Sequence, residues 1–243
     1  MRNVRLILEY DGTAYSGFQR QPNGPTVQAA LESAIKSIVG KDVTLYAAGR
    51  TDTGVHATGQ VCSFLTDTDI GAEGLFSGIN SLLPDDISVS RLDFADPDFH
   101  ARYSAVSRHY SYRILNRRAP SALAFRYTWH VKRLLDLERM RRAAGPLLGT
   151  HDFRALANSG CADNTVRTVK SLSIHKDGDI IYIDIEADGF LRSMVRNIAG
   201  LLTEAGLGKR EPEAVESLLE KRDRRLAGLC APAKGLFFTK VDY

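Results

Sequence analysis

A chain of 243 residues, 44% hydrophobic and 25% charged, has room for one large domain or two modest ones and lies in the ordinary globular range, which excludes a disordered or fibrous protein. No apolar run reaches the roughly 18 residues that a membrane-spanning helix needs. The formal net charge of +3 by itself implies nothing about nucleic acid.

The first residues, Met1–Leu6, lead straight into a strand pattern without the apolar segment and small-residue cleavage site of a signal peptide, so a cytoplasmic protein is expected. Arg5–Asp11 reads as a strand that ends in the turn Asp11-Gly12. Thr26–Val39 follows as a helix. It sets Val27, Ala30, Leu31, Ala34, Ile35, Ile38 and Val39 on one face, and Gly40 stops it. A strand over Val43–Ala47 enters a glycine-punctuated loop, and another strand covers Gln60–Leu65. Ala72–Leu83 is a helix, and strands follow near Ile87–Phe94 and Arg108–Leu115.

The second half restates the theme. Leu137, Met140, Ala143, Ala144, Leu147 and Leu148 mark a helix ended by Gly149, and a strand lies near Val169–His175. In Ile180–Ala187, Ile181, Ile183 and Ile185 alternate with Tyr182, Asp184 and Glu186, which predicts a strand with one buried face. Helices over Leu191–Ala205 and Pro212–Glu220 and a strand at Leu236–Asp242 close the chain. Strands broken by single helices, with short strand-to-strand links, predict an α+β fold. Two similar halves are expected, residues 1–105 and 106–243, and a cleft between halves is a natural place for a site.

Cys62, Cys161 and Cys230 lie far apart and form no CxxC or Cys/His cluster, so neither a disulfide framework nor a structural zinc is expected. The charge is unevenly spread. Residues 67–98 hold eight acids and one base, Arg91, whereas residues 100–142 hold eleven Lys or Arg against Asp136 and Glu138. Of the 32 basic residues, 23 are Arg, the better residue for bidentate phosphate contacts and for stacking on bases. A basic segment of this kind fits a polyanion or simply a solvated surface.

The loop Ala48-Gly49-Arg50-Thr51-Asp52-Thr53-Gly54-Val55-His56-Ala57 carries the densest chemical signal. Glycines at 49 and 54 permit close ligand approach. In an extended segment Arg50 and Asp52 leave the same face, and the guanidinium would orient the carboxylate and keep it ionised, as a nucleophile or base requires. An Asp that caps its own turn and pairs with Arg50 for local order is the plainer reading of the pattern alone. Other chemistries fail on spacing. Val55-His56 stands where a phosphate-binding loop needs Lys-Ser/Thr, the six histidines show no paired-ligand spacing, and no GxSxG or Gly-x-Gly-x-x-Gly segment is present.

The segment Gly49-Arg50-Thr51-Asp52-x-Gly54-Val55-His56-Ala57 resembles the signature of the tRNA pseudouridine synthase A family. Glu9-Tyr10-Asp11-Gly12 with Gly17-Phe18-Gln19-Arg20-Gln21 is similar to the family's opening. Later blocks are similar too: Asp98-Phe99-His100-Ala101-Arg102, Arg108-x-Tyr110-x-Tyr112, Met194-Val195-Arg196-Asn197 and Ala231-Pro232-Ala233-x-Gly235-Leu236. Phe18 stands where the family would show tryptophan, Thr53 where alanine is common, and His109 interrupts a more basic stretch.

The resemblance implies two α/β-sandwich halves with mixed, mainly antiparallel sheets around a central RNA-binding cleft. It implies isomerisation of uridine to pseudouridine at positions 38–40 of the tRNA anticodon arm by a homodimer, with no cofactor, no metal and no membrane contact. Asp52 would be the catalytic nucleophile or base. Tyr110 would stack on the flipped uracil, and Arg50 and Arg196 would bind substrate. Arg192 and Arg196, four apart on the expected helix, could reach a phosphate. Arg20, Arg102 and Arg108 are further candidates for RNA contact, with 102–142 as the basic surface. A non-catalytic RNA-binding protein of the same fold is the alternative, and a metal-assisted RNA hydrolase using Asp52 with Asp11 or Asp184 is a second.

Overall fold

The structure, a computed structural model, describes residues 1–160 and 163–243, so Cys161 lies outside the described residues. The fold is α+β, and its strands and helices belong to two compact units. Unit one comprises Met1–Arg108 together with Phe237–Tyr243, and unit two comprises His109–Leu236.

Unit one is built on strand β1 (Arg2–Tyr10), whose alternation buries Val4, Leu6, Leu8 and Tyr10. Helix α1 (Val27–Val39) follows. Thr26 caps it, its hydroxyl accepting from Ala29 N at 3.3 Å, and Gly40 ends it at a φ of 74°. Val27, Leu31, Ala34 and Ile35 form its buried stripe. Strand β2 is only Tyr46–Ala47, shorter than the expected Val43–Ala47. Leu45 is captured by α1 instead, its N–H donating to Glu32 Oε1 and its carbonyl accepting from Gln28 Nε2, both at 3.4 Å.

Strand β3 (His56–Thr66), helix α2 (Ala72–Leu82) and strand β4 (Ile87–Ala95) follow. In the sheet, β1 is antiparallel to both β3 and β4, and β2 is antiparallel to β3. Strand β10 (Leu236–Asp242) returns from the far end of the chain to run parallel to β3, with Phe237 opposite His56 and Phe238 opposite Ala57.

Unit two contains most of β5 (Ser107–Leu115), with β6 (Trp129–His130) parallel to it. Asp136 caps helix α3 (Leu137–Ala144), its carboxylate accepting from Arg139 N at 3.0 Å. A short 3-10 turn, Gly145–Leu147, continues α3 before β7 (Gly149–Asp152). Strands β8 (Val166–Asp177) and β9 (Ile180–Ala187) form an antiparallel hairpin, and the order within the unit is β5-β9-β8-β7. Ile181, Ile183, Ile185 and Ala187 are buried, as the alternation predicts. Helix α4 (Met194–Gly206) packs on α3, and α5 (Ala214–Lys221) completes the unit.

The start of α4 corrects the sequence expectation. Ser193 takes a left-handed φ of 59°, which breaks the helical run assumed from Leu191. Arg192 therefore precedes the helix, and it does not share an α4 face with Arg196 as a residue four positions earlier would.

Candidate active site

The Asp52 loop joins β2 to β3, and its main chain is held at several points. Ala48 N donates to Val61 O at 2.8 Å, and Gln60 Nε2 donates to Gly49 O at 2.7 Å. The Thr51 hydroxyl meets the Tyr10 hydroxyl at 2.8 Å, and Thr51 O accepts from Phe18 N at 3.1 Å. Val55 N closes a turn onto Asp52 O at 3.1 Å, and Gly54 supplies the positive φ of 75°. Behind the turn, buried His56 accepts from Gly12 N at 3.1 Å and stacks on Phe237 at 4.8 Å. Burial holds the Tyr10 hydroxyl well above the usual phenol range, so it stays a neutral hydrogen-bonding partner for Thr51. Asp52 is left half-buried at the centre of this frame.

Arg50 and Asp52 lie outside any strand, Arg50 exposed and Asp52 half-buried. Strand alternation, which would have sent both side chains to one face, is not what arranges them. Arg108 reaches the main chain around the loop. Its half-buried guanidinium donates to Ala48 O at 3.3 and 3.4 Å, to Ala105 O at 3.2 Å and to Arg102 O at 2.6 Å. It braces the loop's entry. Arg20 is exposed and pairs with Glu32 at 3.2 Å, and Arg102 is exposed beside Tyr103.

In unit two, Tyr110 on β5 is 8% exposed and meets Phe190 edge to face at 4.9 Å. Tyr112 is fully buried and donates to Pro232 O at 2.8 Å, which is core packing. Arg196, in the first turn of α4, donates from Nε to Ala231 O at 2.8 Å, and Ala231 N returns a bond to Arg196 O at 3.1 Å. Arg192 is exposed and donates to Ser159 O at 3.2 Å.

Residues 6–104 and 143–243 match the family model described as tRNA pseudouridine synthase. The chain belongs to this family. Over its whole length it is 48% identical to tRNA pseudouridine synthase A of Thermoanaerobacter sp. (strain X514), with 100% of both chains covered. Its identity to the proteins of the same name from Acetivibrio thermocellus and Geotalea uraniireducens is 47% and 45%, again with 100% of each chain covered. A pseudouridine synthase of this family is an isomerase, and among the described residues no helix is long and apolar enough to cross a membrane.

The synthase also ties the Arg196 turn through side chains that the sequence reading missed. Arg224 donates to Asn158 Oδ1 at 3.1 Å, to Asn197 Oδ1 at 2.8 Å and to Gly228 O at 3.1 Å. Asn197, buried beside Arg196, also donates to Leu156 O at 2.8 Å. These bonds tie the first turn of α4 to the segments on either side of it. The only sequence signal was Asn197 within Met-Val-Arg-Asn; nothing in the run around Arg224 distinguishes it from surface charge.

Proposed function

We propose that this synthase converts uridine to pseudouridine at positions 38–40 of the tRNA anticodon arm, acting in the cytoplasm as a homodimer, with Asp52 as nucleophile or general base. The observation that carries the reading is the fixed loop: a half-buried carboxylate on a main chain anchored from β1, β3 and the Gly17-Phe18 segment. Such anchoring matters because catalysis gains from a group already in reacting geometry.

The reaction breaks the C1′–N1 glycosidic bond, turns the uracil and forms a C1′–C5 bond. C5 loses its proton and N1 ends with one, so atoms and electrons balance without a redox partner. Asp52 would attack C1′ of the ribose or C6 of the base, or remove a ribose proton. Tyr110, edge-on to Phe190, would present its face or hydroxyl to the uracil. Arg196, with its Nε held by Ala231 O, and exposed Arg50 would bind the substrate. Arg20, Arg102 and Arg192 remain candidates for backbone phosphates. Arg108 would contribute by bracing the loop. The division into halves 1–105 and 106–243 is likewise proposed, the first carrying the Asp loop and the second Tyr110 and Arg196.

The test is tritium release from tRNA labelled at uracil C5. Release is expected with the wild type, unchanged by EDTA, and absent in Asp52→Asn and Asp52→Ala. Wild-type rates from Asp52→Ala would sink the assignment.

A further inference from the structure

The surface of unit one carries a ladder of three rings that the chemistry above does not use. Tyr46 lies 4.7 Å from His100, centroid to centroid, and His100 lies 4.4 Å from Tyr103. The ring planes are tilted by 45° and 36°. The guanidinium carbon of Arg102 stands 5.6 Å from the Tyr103 ring centre. Both ends of the ladder face water, Tyr46 at 44% and Tyr103 at 76% exposure.

The ladder is built on a fixed frame. His100 Nδ1 accepts from Arg102 N at 3.1 Å and from Tyr103 N at 3.3 Å, which puts the ring hydrogen on Nε2. His100 N donates to Ser104 Oγ, and Ser104 N returns to His100 O, both at 3.0 Å. Buried Ala101 fastens the turn to the sheet, its N–H donating to Ser63 Oγ at 3.1 Å and its carbonyl accepting from Tyr243 at 2.9 Å. Arg108 then joins Arg102 O to Ala48 O at the entry of the Asp52 loop.

Single exposed rings are ordinary, but three rings in contact form a contiguous exposed patch, and such patches mark binding surfaces. The chemistry of the patch selects that partner. The turn offers one exposed cation, Arg102, and residues 99–107 hold no carboxylate, while Arg108 is engaged with main-chain carbonyls. Exposed aromatic faces beside a guanidinium are what a protein uses to stack unpaired bases and hold their phosphates.

We propose that Tyr46, His100 and Tyr103, with Arg102, form a stacking platform for a base of the tRNA other than the one isomerised. The proposal rests on tRNA being the substrate of the Asp52 reaction, and the experiment separates the two. Full-length wild type, Tyr46→Ala, Tyr103→Ala, Tyr103→Phe and Arg102→Ala are titrated with unmodified tRNA at several salt concentrations, alongside Asp52→Ala.

Tyr46→Ala and Tyr103→Ala are each expected to weaken tRNA binding about tenfold or more without changing the dependence on salt. In tritium release they should raise KM and leave kcat within roughly twofold, the mark of uniform binding. Tyr103→Phe should bind as the wild type. Arg102→Ala should lower the slope of log Kd against log salt by about one. Asp52→Ala should bind tRNA normally and release no tritium. Wild-type tRNA affinity in both tyrosine-to-alanine variants, with unchanged melting temperatures, overturns the platform. So does a loss in Tyr103→Phe equal to that in Tyr103→Ala, because the ring would then be irrelevant. Failure of the wild type itself to bind or turn over tRNA would instead sink the substrate reading.

Discussion

Gly17 and Thr51 meet backbone to backbone: a Cβ built on Gly17 would stand 2.8 Å from Thr51 O and 3.3 Å from Thr53 N. Gly17 also adopts a φ of 97°, which side chains rarely tolerate. The segment that carries Phe18 N to Thr51 O thus passes directly over the Asp52 loop, and only glycine allows it that close. Gly17→Ala is expected to cost about 1–3 kcal/mol of stability and to displace Asp52 enough to lower kcat. Chemical denaturation and tritium release on the same preparation check both effects. Wild-type kcat in a destabilised variant would show that the contact supports the fold alone.

Arg108 separates two uses of a basic residue. Its bonds to the carbonyls of Ala48, Ala105 and Arg102 predict that Arg108→Ala loses about 1.5–3 kcal/mol of stability, the range for charged hydrogen bonds. The salt dependence of tRNA binding should stay as in the wild type, because the guanidinium is engaged with the main chain. Arg20→Ala, at an exposed ion pair with Glu32, should leave the melting temperature nearly unchanged. Equal salt slopes for wild type and Arg108→Ala, measured by tRNA titration, are the decisive result.

Arg196 and Ala231 exchange two hydrogen bonds, one through the guanidinium Nε. A lysine carries charge but has no Nε–H to aim it. With Arg196 binding the substrate as proposed, Arg196→Lys is expected to lose about 10- to 100-fold in kcat/KM, the scale of a misplaced group near reacting atoms. Arg224→Ala should lose part of the same activity, because it releases Asn197 from the other side of that turn. Steady-state kinetics on both variants tests the pair, and full activity in Arg196→Lys would remove the guanidinium geometry from the account.

The alkaline limb of stability follows from buried phenols. Burial raises Tyr112 far above its ordinary value, with the charge of Arg196 pulling the other way, and burial likewise raises Tyr10. A raised folded-state value favours the neutral native form. That stability is fully present below the unfolded value of about 10 and is lost as pH climbs from there toward the folded value. Tyr112→Phe should lower stability at pH 7 by about 1 kcal/mol, the hydrogen bond to Pro232 O. It should also make the loss above pH 10 shallower than in the wild type. Melting temperatures across that range report both.

Much of the local structure was legible because it depends on neighbours in the chain. The Thr26 cap and Gly40 stop bound α1, and the isoleucine alternation places β9 at Ile180–Ala187. Local pattern failed in two places, one through distant side chains and one through a single backbone angle. Leu45 looked like strand, yet Glu32 and Gln28 of α1 take its backbone groups. Leu191 and Arg192 fit a helical stripe, yet Ser193 turns the backbone left-handed just before Met194.

The same division runs through the site. The glycines at 49 and 54 around Asp52 mark a chemical loop from sequence alone, because spacing and residue type are local properties. What holds that loop comes from Tyr10, Gly17, Phe18, Gln60 and Arg108, and no periodicity links them. Likewise β10 runs beside β3 across nearly the whole chain length, a pairing set by long-range hydrogen bonds. The sequence by itself determined the fold class, the family blocks and the candidate carboxylate, since each rests on residue type and short-range order. Tertiary structure alone decided that Arg108 bonds the carbonyl of Ala48, that Arg224 and Asn197 fasten the Arg196 turn, and that the rings of Tyr46, His100 and Tyr103 meet at tilted angles. Those roles depend on which atoms come within hydrogen-bond or ring-stacking reach, and only the folded chain sets such distances.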